Sequence, residues 1–225
     1  MLVAGCGAPT RATVTAPVRG EETQSEKQAA PTAVDEEALS YLDEVALSGF
    51  EFGSAPHVVY KWTQDIQVSV SGAPGESDRL ALNSVISDLN ELISPIRISQ
   101  VSAGGDITIY YGPDTEFPRR LSGYTPGNRG YFEVEYSRRY NLQHSDIVIS
   151  TNVDAAARAH LVREELTQSL GMFQDSWRQK ESMFYQGWTM TSRYSDLDKA
   201  VIRTLYDPRI QPGMTRDEVR AALGA

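Results

Sequence analysis

The sequence predicts an α+β domain: a twisted mixed sheet with a backing helix and a central helix, then a small, mostly helical C-terminal part. Three observations predict it. Ile66 to Val70, I-Q-V-S-V, alternates apolar and polar residues with the period of a strand. Asp78 to Ile93 instead sets Leu80, Leu82, Val85, Ile86, Leu89 and Leu92 on an apolar stripe of helical period. Arg158 to Asp175 has helical spacing too, through Leu161, Val162, Leu166, Leu170 and Phe173.

The remaining elements follow from local chemistry. Glu36 to Leu47 reads as a first helix, and Val58 to Trp62 as a strand. Gly72 to Gly75 is a turn, and Pro95 lies just past the end of the second helix. Ile96 to Val101 and Ile107 to Tyr111 are strands on either side of the turn Gly104-Gly105. Pro113 to Arg129 is a solvated loop rather than an anion site, although Arg119, Arg120 and Arg129 lie on it and Arg138 follows. Gly130 to Tyr136 alternates Phe132, Val134 and Tyr136 with Tyr131, Glu133 and Glu135, and is expected at a sheet edge. Ile147 to Ile149 is a short, fully apolar strand. Asn152 or Asp154 caps the central helix, and Gly171 is its terminator. Asp198 to Tyr206 is a helix that ends at Asp207-Pro208. Thr215 and Glu218 form a capping box for a last helix, Arg216 to Leu223.

The order is therefore strand, helix, strand, strand, edge strand, strand, helix. With 225 residues, 40% of them hydrophobic, the chain suffices for one domain with a tail. A net charge of -9 argues against a nucleic-acid partner, which would need clustered Lys and Arg. No apolar run approaches the ~20 residues of a membrane-spanning helix. The single cysteine, Cys6, excludes an intramolecular disulfide, and His57, His144 and His160 lack metal-ligand spacing.

Val3-Ala4-Gly5-Cys6 resembles a bacterial lipobox, in which Cys6 would receive lipid. A charged n-region and most of an apolar h-region are missing before it, so either the translation start is expected further upstream or the sequence has been trimmed. Residues 7–34 are rich in Ala, Pro, Thr, Glu and Gln and cannot bury enough surface to offset their ordering entropy. They read as a disordered tether. The expected division is a signal remnant at 1–6, the tether at 7–34 and one domain at 35–225, held to a bacterial membrane and facing the periplasm.

The central helix carries E-E-x-x-Q-x-x-G: Glu164, Glu165, Gln168 and Gly171. Residues four apart share a helix face, so Glu164 and Gln168 point one way and Glu165 lies about 100° round. This is the geometry of H-E-x-x-H, where two His bind zinc and the Glu between activates water. The fold expected from this likeness is zincin-like. Glu164 and Gln168 then stand at the ligand positions and Glu165 at the general-base position. Gln174 falls at the third ligand position of the longer motif, with Asp175 beside it. A set of Glu164, Gln168 and Asp175 is all oxygen and suits a hard divalent cation better than zinc. Taken alone, E-E-x-x-Q fits a helix with a solvated polar face better. Without a metal, Glu164 and Glu165 would need Arg163, another base or solvent to stay charged. His160 is expected to face solvent or to cap, with a contact to Glu164 as the alternative. Trp62, Trp177 and Trp188 are expected in the core or a cleft wall. Asp207-Pro208-Arg209 should set a turn and a salt bridge.

Three segments in order, E-E-L-T-Q-S-L-G, F-Y-Q-G-W-T and L-Y-D-P-R-I-Q-P-G-M, together resemble domain-of-unknown-function family 2927. Its members are bacterial lipoproteins grouped with zincin-like peptidases. The resemblance covers Val58 to Leu223 and implies a fold and a location, without an activity. Three functions stay open. One is a degenerate zincin-like domain that binds or scaffolds, with Phe132, Val134 and Tyr136 on the rim of a cleft that takes an extended polypeptide. Another is a hydrolase or peptidase with an oxygen-ligand cation. The last is a structural envelope protein whose helix is merely packed.

Overall fold

A computed structural model of the protein describes residues 35–48 and 56–225. Cys6, the lipobox and the tether lie outside the described residues. The elements are α1 (Glu36–Val45), β1 (Ile66–Gly72), α2 (Glu76–Asn90), β2 (Ile98–Gln100), β3 (Ile107–Gly112), β4 (Gly130–Tyr136), β5 (Leu142–Ser150), α3 (Ala155–Gln168), α4 (Asp196–Leu205) and α5 (Arg216–Leu223). The fold is a mixed α+β architecture.

The sheet runs β2-β1-β3-β5-β4. The pairs β1/β2, β1/β3 and β3/β5 are parallel, and β4 pairs antiparallel to β5. Parallel neighbours need a crossover, and α2 supplies the one between β1 and β2. Gly130–Tyr136 is an edge strand, as expected. The apolar Ile147 to Ile149 belongs to a longer strand than expected, because β5 is laddered on both sides, by β3 and by β4.

Helix ends follow their caps. Asp35 accepts from the backbone N–H groups of Glu37 and Ala38, and opens α1. Asp154, rather than Asn152, caps α3 through Ala157 N at 2.8 Å. Ser195 and Asp198 box the start of α4, and Thr215 and Glu218 that of α5. Asp78 does two tasks in α2. It accepts from Gly75 N at 2.8 Å and from Arg158 Nε at 2.7 Å, which pins α2 to α3. The buried face of α2 is Leu82, Val85, Ile86 and Leu89. Leu80 is exposed and leaves the expected stripe, because it sits about 200° round from Leu82.

Two readings are corrected. Val58 to Trp62 is no ladder strand. Val59 N bonds Met214 O at 2.9 Å, while Lys61 bridges singly to Asn141. Its partners come from two separate segments, so no continuous pairing forms. Residues 113–129 contain a short 3-10 turn at Asp114–Arg119, where Arg129 pairs with Asp114 and Arg120 lies over the Tyr110 ring.

The end of α3 is fixed from outside. Trp62 Nε1 donates to Ser169 O at 3.1 Å, and Tyr206 Oη donates to Leu170 O at 2.9 Å. These satisfy carbonyls that a helix leaves unpaired at its C-terminus. Gly171 has a φ of 119°, and a Cβ there would strike the Tyr60 carbonyl, so only glycine fits. Lys61 is buried and donates to Leu205 O at 2.8 Å and Ile210 O at 3.0 Å, holding the α4 terminus against the same region. Burial lowers its ammonium to about 8. Asp207 and Arg209 form the expected ion pair, at 2.8 Å.

A candidate site between an edge strand and the central helix

Glu164, Glu165, Gln168 and Asp175 line one cavity of about 930 Å³, with β4 along its side. Phe132, Val134 and Tyr136 line it, and so do Tyr131 and Glu133 from the opposite strand face. Side chains of both faces reach the cavity because the strand presents its edge to it. The hydrogen-bond register confirms that direction. Ser145 N bonds Asp106 O and Thr151 N bonds Gly112 O, on the β3 side, whereas Ser150 N bonds Arg129 O on the β4 side. Even-numbered residues of β5 thus face β4. Phe132 and Val134 stand opposite the odd-numbered Ile147 and Ser145, so their own N–H and C=O groups point to the free edge.

The polar face of α3 is buried, not solvated as E-E-x-x-Q alone allows. Glu165 is 6% exposed and Gln168 5%. Glu165 packs against Gly130, where a Cβ would collide with its carboxylate. Among the described residues it has no hydrogen-bond partner. Burial raises its pKa strongly, and the negative Glu164 and Asp175 raise it further. Glu164 is pushed up to about 8, first by burial and then by Asp175. At neutral pH the pair therefore holds protons rather than two charges.

Arg163 does not relieve this. Its side chain turns to Asp88, 2.7 Å away, on the far side of the helix. His160 is the base that faces Glu164, at 3.4 Å from Nε2. It is 4% exposed, which corrects the expectation that it faces solvent or caps. Its Nδ1 lies 2.7 Å from the Thr191 carbonyl. A carbonyl only accepts, so Nδ1 carries the proton and Nε2 offers its lone pair to Glu164. Burial pushes this imidazole below its ordinary pKa.

Gln168 Nε2 donates to Asp175 Oδ1 at 2.5 Å. Asp175 lines the cavity, while Gln174 turns its backbone N–H to Val45 O at 3.0 Å. The zinc that a zincin-like fold implies does not fit this donor set. A proton-bearing carboxyl and an amide showing its NH₂ side replace two imidazoles. Among the described residues, no three His, Cys, Asp or Glu side chains are grouped to hold a metal ion.

Of the tryptophans, Trp62 is core and Trp188 stands in the cavity wall. Trp177 is neither. It is 69% exposed and meets only the Tyr185 ring edge-on. Sequence reasoning missed Gly130 and Thr191. Only their distant contacts with Glu165 and His160 reveal them. Among the described residues, no helix is long and apolar enough to cross a membrane.

Comparison with curated proteins gives no match. Among solved structures, the chain titled "Structure of Myroilysin" is 14% identical, with a TM-score of 0.45, over 79% of this chain and 98% of that one. The family profile described as "Protein of unknown function (DUF2927)" matches residues 37–225. The chain belongs to the DUF2927 family.

Proposed function

We propose that this is a zincin-like domain whose metal centre is lost and which holds an extended polypeptide without cutting it. The observation that carries the reading is the outer edge of β4, which no strand among the described residues pairs with. It aims the backbone groups of Phe132 and Val134 along the cavity floored by Glu164, Glu165 and Gln168. An edge strand of this kind accepts a peptide by strand addition. Protonated Glu164 and Glu165 make the floor nearly neutral, which suits an uncharged backbone better than an anion. The helix with E-E-x-x-Q supports the zincin-like reading through its spacing, and the donor set supports the loss of metal.

Location belongs to the same proposal. Val-Ala-Gly-Cys and the tether support a lipid anchor on Cys6, a bacterial envelope setting and a periplasm-facing domain. The acidic net charge supports a partner other than nucleic acid.

The convergence of Glu164, Gln168 and Asp175 also favours a second reading, a hydrolase with a hard cation and Glu165 as base. That reading requires the Gln168 amide to turn its oxygen inward and give up its bond to Asp175, so it ranks behind binding.

Val134→Pro tests the first reading. The Val134 N–H points away from β5, so proline removes an outward donor and leaves the ladder intact. Anisotropy of a labelled, extended apolar peptide should show at least tenfold weaker binding, with the unfolding midpoint nearly unchanged. Equal binding by both proteins would refute strand addition.

A further inference from the structure

A second cavity, of about 760 Å³, lies on the other side of α3. Its lining is basic, whereas the groove beside β4 is floored by Glu164, Glu165 and Gln168. Arg163, Arg193, Lys199 and Arg203 line it, against Asp88 and Glu91. In a chain of net charge -9, four cations around one cavity are a local reversal of sign.

The cations are poorly spent on the protein itself. Arg193 and Arg203 are exposed, and their side chains have no ion pair or hydrogen bond among the described residues. Lys199 pairs with Asp196 at 3.0 Å, but Asp196 is fully exposed, and such a pair contributes little. Arg163 is the anchor. It is 3% exposed, with its guanidinium 4.6 Å from the centre of the Tyr194 ring. Tyr194 is itself fixed by a 2.6 Å hydrogen bond with Thr167. The Arg163 Nη1 forms an ion pair with Asp88 Oδ2 at 2.7 Å but makes no aligned hydrogen bond, while Nη2 donates to Ser84 Oγ at 3.4 Å. A buried guanidinium N–H without an acceptor is costly. The Asp88 side chain that pairs with it is 43% exposed.

The donors come from separate segments. Arg163 is on α3, Arg193 and Ser192 precede α4, Lys199 and Arg203 are on α4, and Ser84 is on α2. One planar carboxylate is satisfied by a single guanidinium fork. Donors arriving from several directions match a tetrahedral oxyanion with several acceptor oxygens. We infer that this cavity is a binding site for a phosphate-bearing ligand, held by Arg163, Arg193, Lys199 and Arg203. The site is distinct from the groove beside β4 and does not rest on the function proposed for that groove.

Two sources share that chemistry, a soluble phosphomonoester and a phospholipid headgroup. The test uses the full chain in three arms. Calorimetry measures inorganic phosphate and glycerol 3-phosphate, with acetate as the carboxylate control. Co-sedimentation measures vesicles of phosphatidylglycerol against phosphatidylcholine. Each is repeated with Arg193→Gln/Arg203→Gln, whose parent side chains are exposed and unpaired, so the fold is unaffected. The expected result is one-to-one binding of phosphate or its monoester, at least tenfold tighter than acetate and at least tenfold weaker in the double variant. Binding that appears only on phosphatidylglycerol vesicles, and is lost in the double variant, supports the same site with a lipid source. No binding of any phosphate probe, acetate binding as tight as phosphate, or a double variant equal to the wild type would each overturn the inference.

Discussion

The Gln168 side-chain amide donates to the Asp175 carboxylate across 2.5 Å, tying the last turn of α3 to the segment that leaves it. The bond presents NH₂, not oxygen, to the acidic end of the groove. It also places a carboxylate beside the second ligand position of a zincin motif. Glu164→His with Gln168→His would restore H-E-x-x-H, with Asp175 at hand as a third ligand. The wild type should purify with well under one zinc per chain, and the double variant should take up more. Atomic emission of protein dialysed against zinc checks it. Equal uptake would count against the zincin-like geometry.

Stability should fall as pH rises across the range in which Glu164 differs between states. Its folded-state pKa is about 8 against an ordinary 4.5. Below 4.5 both folded and unfolded chains hold the proton. Between the two values only the folded chain does, so each unit of rising pH removes up to about 1.4 kcal/mol per such group. Above about 8 the loss is complete. Glu165, raised by the same burial, adds to it in the same direction. Urea midpoints from pH 4.5 to 8 should decline, and decline less in Glu164→Gln. Parallel profiles would contradict the burial of a proton-bearing Glu164.

Leu166 is fully buried in the core, whereas Glu165 faces the cavity from the same helix. Leu166→Ala should cost about 2–5 kcal/mol, as truncations of buried leucine do. Glu165→Gln keeps its volume and removes a group that is already short of partners, so it should cost far less. Equal losses in denaturant melts would reverse the assignment of faces.

Much of the fold was legible because its signals are local. The Thr215/Glu218 box and the bounds of α5 follow from four residues, and the strand Gly130–Tyr136 from its alternation. What failed depended on distant partners. Val58 to Trp62 has strand composition, but its hydrogen bonds go singly to Met214 and to the start of β5. His160 looks like a surface histidine until Thr191, 31 residues on, closes over it. The grouping of Glu164, Glu165, Gln168 and Asp175 was readable from helical spacing. Their burial was not, since it depends on Gly130 and β4.

Amide hydrogen exchange on the full chain, with and without a saturating extended peptide, separates strand addition from cleavage when the peptide is weighed in the same sample. Strand addition without chemistry predicts slower exchange at Phe132 and Val134, no change at the Glu133 amide already held by β5, and an intact peptide after prolonged incubation. Unprotected Phe132 and Val134 amides, or cleavage that a chelator abolishes, would contradict it.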